Sequence, residues 1–133
     1  VAVGDFNSDG RLDIVTGNQA SNDISVLLGD GNGFFENETR SSVGSFFSSM
    51  AVGDFNGDGR PDMAIAHPFD NEMSLLLGCG NGSFQNQRRY AVGGFPHSLA
   101  IDDLNDDQRL DVVVVNSNTN DVSIFLGYGD GSF

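Results

Sequence analysis

The chain has 133 residues, enough for one ordinary domain or a short repeat array, and 19 acidic against 6 basic residues leave it a net charge of −13. The basic residues are all Arg and form no stripe, which excludes a phosphate-neutralising nucleic-acid surface and argues against anionic membranes. No apolar run of about 18 residues is present, so membrane insertion is not expected, and the single Cys79 excludes an intrachain disulfide. Hydrophobic residues make up 38%, with 11 Phe, 2 Tyr and no Trp, so the core material is mainly Phe and aliphatic. The 18 Gly have no Gly-X-Y period and suit tight turns between short strands. The start at Val1, without Met or a signal peptide, is expected of a processed product or a fragment.

An internal repeat organises the chain. Asp5-Phe6-Asn7-Ser8-Asp9-Gly10-Arg11-Leu12-Asp13 returns as Asp54-Phe55-Asn56-Gly57-Asp58-Gly59-Arg60-Pro61-Asp62. It returns again as Asp103-Leu104-Asn105-Asp106-Asp107-Gln108-Arg109-Leu110-Asp111, so the step is 49 residues each time (54 − 5 and 103 − 54). A second marker keeps that step: Asn22-Asp23-Ile24-Ser25-Val26-Leu27-Leu28-Gly29 matches residues 71–78 and 120–127.

In chain order, each repeat opens on a short apolar run, such as 50–52, that leads into the acidic loop. A second run follows (63–66, or 112–115), then a third (73–77) interrupted by Ser74. Next comes a Gly-x-Gly turn that ends on Phe35, Phe84 or Phe133; Gly and Asn there tolerate positive φ. A fourth extended segment, such as 84–92, leads to the next repeat. No 3.6-residue period persists long enough for a helix. The expected fold is all-β, a single repeat array over 1–133 built of four-stranded propeller-type blades. The repeats are 1–49, 50–98 and an incomplete 99–133, about 2.7 in all.

The acidic loop presents hard-cation chemistry: Asp5, Asn7, Asp9, the backbone carbonyl of Arg11, and Asp13 supply oxygen ligands only. The in-phase sets are Asp54, Asn56, Asp58, Arg60, Asp62 and Asp103, Asn105, Asp107, Arg109, Asp111. Six or seven contacts from a flexible loop suit Ca2+ better than Mg2+, which demands a tight octahedron. An EF-hand begins in the same way, but it needs flanking helices and a Glu at position twelve, and neither is present. Up to three structural calcium ions are expected. The third site is expected to be weaker, because Gln108 stands where Gly10 and Gly59 stand; a non-Gly residue at positive φ costs on the order of 1 kcal/mol.

The Asp-x-Asn-x-Asp-Gly-x-x-Asp loop after a Val-Gly strand resembles the FG-GAP (or VCBS) repeat and is similar to the calcium blades of integrin α-subunit propellers. The Ser-Val-Leu-Leu-Gly and Gly-Asn-Gly-Ser-Phe stretches match as well, and the resemblance covers essentially the whole chain. It implies that the loop joins the first two strands of a blade. It also implies a secreted or cell-surface setting and roles in adhesion, carbohydrate contact or scaffolding. Closed propellers typically have four to eight blades. Three repeats therefore imply a longer chain, the favoured reading, or assembly with other copies, or an open array or filament.

Asn37 and Asn81 head N-glycosylation sequons. His67 and His97 are out of phase with each other, and with Cys79 they lack any activating motif, so no catalytic residue is expected. Cys79 is expected to be an exposed turn thiol, and the recurrent Phe to be blade-to-blade core. The leading function is a calcium-stabilised extracellular structural or adhesive module. The alternatives are an accessory propeller domain of a secreted carbohydrate-active or other enzyme, or a glycan-binding module; the lack of Trp weakens the last.

Overall fold

The computed structural model describes residues 1–36 and 38–133. Three antiparallel sheets follow one another along the chain. The first, blade 1, is β1 (Ala2–Gly4), β2 (Asp13–Asn18), β3 (Asp23–Leu27) and β4 (Thr39–Ser42). Blade 2 is β5 (Ser49–Gly53), β6 (Asp62–His67), β7 (Glu72–Leu76) and β8 (Arg88–Ala91). Blade 3 has three strands, β9 (Pro96–Asp102), β10 (Asp111–Asn116) and β11 (Asp121–Phe125). Each strand pairs with its sequence neighbour, so every blade is a meander. No helix occurs among the described residues.

The blades stack through their faces, with β1 beside β5 and β5 beside β9. Side chains alternate across a strand, so each sheet has two faces. In β6 both are buried: Met63 and Ile65 face blade 1, while Ala64 and Ala66 face blade 3. One core lies between blades 1 and 2, with Val15, Ile24 and Val26 meeting Met63, Ile65 and Leu76. The other repeats it between blades 2 and 3, where Ala64, Met73 and Leu75 meet Val112, Val114 and Leu99. Burying each large aliphatic side chain contributes about 1.5–3 kcal/mol, which makes these two joints the main source of stability.

Of the recurrent Phe residues, Phe6, Phe55, Phe84 and Phe133 fill the joints, whereas Phe35 is exposed on blade 1. Phe6 meets Phe84 edge-on at 6.0 Å, and Phe55 meets Phe133 at 5.9 Å. Phe69, which has no counterpart in the other repeats, is 70% exposed and packs between Phe46 and Phe95 at the opposite end of the blades from the acidic loops. β7 runs through Ser74, the polar residue in its apolar run, whose buried hydroxyl bonds His67 Nε2 at 2.8 Å. The fourth segment divides into a bridge between Gly78 and Phe84, then β8.

Candidate metal loops and the clamp beneath them

The acidic loops join the first two strands of each blade (β1 to β2, β5 to β6, β9 to β10) and share one conformation. Two positions per loop take positive φ: Ser8 and Gly10, Gly57 and Gly59, Asp106 and Gln108. Gln108 does so at +65°, where Gly10 and Gly59 sit at +82° and +78°. The third loop therefore carries the strain that the sequence anticipated.

Hydrogen bonds wind the loop around its first acid. Asp5 accepts the amides of Asp9 (3.0 Å) and Gly10 (2.8 Å). Asp54 accepts those of Asp58 (3.2 Å) and Gly59 (2.8 Å), and Asp103 those of Asp107 (3.0 Å) and Gln108 (2.7 Å). The next acid accepts the amide two residues on, Arg11, Arg60 or Arg109, at 2.9–3.0 Å. The Asn side chain donates to that same acid: Asn7 to Asp9, Asn56 to Asp58, Asn105 to Asp107.

These contacts favour the ionised carboxylates. Asp9 is lowered from its ordinary value chiefly by the bond from Asn7. At Asp103 desolvation pushes upward, but the amides of Gln108, Asp107, Asn105 and Asp106 outweigh it and the net shift is downward. The Arg side chains lie half-exposed at the rim, 3.4 Å from Asp9 and 4.0 Å and 3.9 Å from Asp58 and Asp107.

The ninth-position acid plays a part not evident from the loop alone. Asp13, Asp62 and Asp111 are fully buried. Each uses one oxygen to accept the amide of the residue after the first acid (Phe6, Phe55, Leu104) at 2.8–2.9 Å. The other oxygen accepts the amide of Gly29, Gly78 or Gly127 at 2.8 Å. This carboxylate thus clamps the loop to the strand-end Gly of the same blade. The Gly is required by close approach: a Cβ on Gly78 would sit 2.3 Å from the Pro61 carbonyl oxygen, and Gly29 and Gly127 are equally tight. Burial pushes Asp62 above the ordinary carboxylate range; the amides of Gly78 and Phe55 oppose that, and Asp58 and Asp54 add to it. The signal was present in sequence, since Asp13 to Gly29 is a constant 16-residue step, also seen in 62 to 78 and 111 to 127.

The donor set fits a hard divalent cation: carboxylates, an amide oxygen and a carbonyl, wound on a preformed loop and short of neutralising charge. Bonded carboxylate oxygens keep a second lone pair for an ion. Among the described residues, however, no three His, Cys, Asp or Glu side chains are gathered as a metal-holding group, and the ninth-position acid is turned to its backbone amides. Such an ion would bind on the outer side of the clamp, where Asp5, Asn7, Asp9 and their counterparts lie.

The remaining candidates fall elsewhere. Asn37 lies outside the described residues, and Asn81 is an exposed turn residue whose Oδ1 accepts the Ser83 amide and hydroxyl. Cys79 is half-buried rather than fully exposed, its amide bonded to the Ser83 carbonyl. His97 is exposed on β9, apart from the buried His67. His67 occupies the place of Asn18 and Asn116, which bond Asp23 and Ser25, and Asp121 and Ser123. Nδ1 of His67 faces Ser45 Oγ at 3.1 Å and the Phe46 carbonyl at 3.3 Å. The Ser45 hydroxyl donates to Asp70, so its proton is not available to the imidazole.

A comparison with curated proteins finds no match. Two protein-family models do match: an FG-GAP-like repeat over residues 5–65 and the FG-GAP repeat over residues 46–85. Together they take in residues 5–85, covering two acidic loops, two Ser-x-Leu-Leu-Gly type strand ends and most of the first joint. With three meander blades stacked face to face and the loop in each between its first two strands, the chain belongs to the FG-GAP repeat family.

Proposed function

We propose that this chain is a calcium-stabilised, extracellular structural or adhesive repeat module without catalytic activity. The observation that carries this reading is the acidic loop itself, which has the same ligand positions, hydrogen bonds and backbone turns in three in-phase copies. The Phe that follows the first acid connects the loop to the joint. Asp13 holds its amide, while its carbonyl accepts the Gly82 amide of the next blade at 2.9 Å; Phe55 does the same with Gly131 at 3.1 Å. An ion that stiffens the loop therefore stiffens the contact between blades. The first two loops are the stronger sites and the third the weaker, because Gln108 holds a strained φ.

The test is a thermal melt with calcium and with chelator. At free calcium about 100-fold above Kd, each occupied site stabilises by about 2.7 kcal/mol. A melting temperature indifferent to chelator would defeat the reading. Calorimetric titration should resolve two tighter sites and one weaker.

A second reading, a glycan- or protein-binding surface, has one observation in its favour: the exposed Phe69 between Phe46 and Phe95, beside the Asp70–Arg89–Glu72 charge cluster. Substituting Phe69→Ala and losing retention on a glycan array would support it. Glycosylation at Asn37 and Asn81 belongs to the same extracellular setting and is read by mass spectrometry of the corresponding peptides.

A further inference from the structure

The two connectors between blades, 43–48 and 92–95, hold the same place in the repeat but are fastened by different chemistry. The second is held through neutral side chains. Gly93 N–H donates to Ser123 Oγ at 3.2 Å, Gly94 N–H to Thr119 Oγ1 at 3.0 Å, and Phe95 N–H to Asn71 Oδ1 at 2.8 Å. The first is held by groups that carry a charge or can gain one. Arg89 donates to the Val43 carbonyl at 3.2 Å, and to Asp70 and Glu72 at 3.0 Å and 2.7 Å. Ser45 donates to Asp70, and His67 Nδ1 meets both Ser45 Oγ and the Phe46 carbonyl.

The 49-residue register singles out His67. Blades 1 and 3 carry Asn18 and Asn116 at its place, which do not titrate and bond an acid and a Ser of their own blade. Ser45 and Asp70 stand where the second connector and its turn have Gly94 and Thr119. Blade 2 alone therefore runs a line of polar groups from its buried strand β7 out to the connector.

The proton positions along that line follow from its outer end. Asp70 accepts only, so the Ser45 hydroxyl donates to it. Ser45 Oγ is then an acceptor for an Nδ1–H that the Phe46 carbonyl shares. Nε2 carries no proton and accepts the Ser74 hydroxyl at 2.8 Å. A second proton on the ring must enter at Nε2, against that hydroxyl. Ser74 would have to turn away and lose its acceptor, and a cation would stand where His67 and Ser74 are both fully buried. Asp70 favours that cation and Arg89 disfavours it; Glu72, opposite His67 on β7, is engaged by Arg89. Burial and Arg89 prevail, so the ring is held neutral. Releasing the connector uncovers the Nδ1 edge, which lets water solvate the charge.

We propose that the 43–48 connector is an acid-released latch: a proton taken up by His67 frees Ser45 and Phe46 and loosens the first joint, while the second joint holds. The latch lies at the opposite end of the blades from the acidic loops and uses no ion, so it stands apart from the calcium reading.

Amide exchange measured by NMR on the intact chain, at constant calcium, tests this. Ser48 N–H, bonded to the Ala66 carbonyl at 3.0 Å, reports the first connector; Ser117 N–H, bonded to the Phe95 carbonyl at 3.1 Å, reports the second. A depressed folded value means that the open form takes up the proton, so the closed latch is favoured above about pH 6.5 and loses ground below it. After correction for the intrinsic effect of pH, protection at Ser48 should fall by up to about tenfold per pH unit until the folded value is passed. Ser117 should keep its protection. His67→Asn should abolish the response at Ser48. Asp62, whose carboxyl burial raises, titrates in both proteins and so cancels in that comparison. Asp70→Asn keeps an acceptor for Ser45 but removes the charge that favours imidazolium, and should carry the fall to lower pH. The imidazole ¹⁵N shifts at neutral pH should report the Nδ1–H tautomer. Unchanged protection at Ser48 down to about pH 5 overturns the proposal, as does an equal loss at Ser48 and Ser117, which marks global acid unfolding. A response that survives His67→Asn, one that Asp70→Asn leaves unmoved, or an Nε2–H tautomer overturns it as well.

Discussion

Replacing Asp62 by Asn tests whether the buried acid is a clamp in its own right or only an ion ligand. The carboxylate accepts two amides, Phe55 N–H at 2.9 Å and Gly78 N–H at 2.8 Å, and is fully buried. Asn has one acceptor oxygen, so one of those amides must lose its partner and face an NH2 group instead. An unsatisfied buried donor costs about 1–3 kcal/mol, and the remaining bond loses its charge assistance. Against this, Asn removes a charge that burial, and secondarily Asp58 and Asp54, disfavour. The net expectation is a destabilisation of about 2–3 kcal/mol, and Asp62→Ala, which strands both amides, should cost more. Urea unfolding followed by circular dichroism and Phe fluorescence measures it, in calcium and again in chelator. The clamp needs no ion, so the loss must persist in chelator. A variant within about 0.5 kcal/mol of wild type under chelation, the range of an ordinary surface substitution, would refute the reasoning.

Three further outcomes are expected. His67 is held below its ordinary pKa by burial and by Arg89, so the unfolded chain binds the proton more readily. Stability is then fully present above about pH 6.5 and declines as pH falls from there through the depressed folded value. Unfolding curves for His67→Asn, which installs the side chain found at 18 and 116, should lose that part of the pH dependence while keeping the bond to Ser74. Gly78→Ala places a Cβ 2.3 Å from the Pro61 carbonyl oxygen and disturbs an amide held by Asp62, so chemical denaturation should show a loss of more than about 3 kcal/mol. Gln108→Gly relieves a residue at φ +65° and should raise stability by about 0.5–1 kcal/mol and tighten calcium binding to the third loop, read by calorimetry.

Much of this molecule was legible in one dimension because its determinants are local. The strand order follows from short apolar runs punctuated by Gly turns, and the loop follows from Asp-x-Asn-x-Asp spacing, since Asx side chains bond backbone two to five residues away. Even the strain at Gln108 could be read by laying the repeats in register. The place of Asp13 in the loop is legible, but the two hydrogen bonds it accepts from the Phe6 and Gly29 amides are not, because the second partner lies 16 residues away across the blade. The partner of Ser74, the polar residue in an apolar run, was hidden for a similar reason: the imidazole that satisfies it arrives from the neighbouring strand.

What the sequence by itself determined is the unit: one meander blade, repeated every 49 residues, with an oxygen-rich loop at its start. The tertiary structure alone decided which copies of that unit are buried. Met73 and Val122 hold the same place in the repeat and are both apolar, yet one is fully buried and the other 54% exposed. Nothing in the residues themselves separates them. The physical reason is that burial depends on the next blade being present, and only blade 2 has a neighbour on each side.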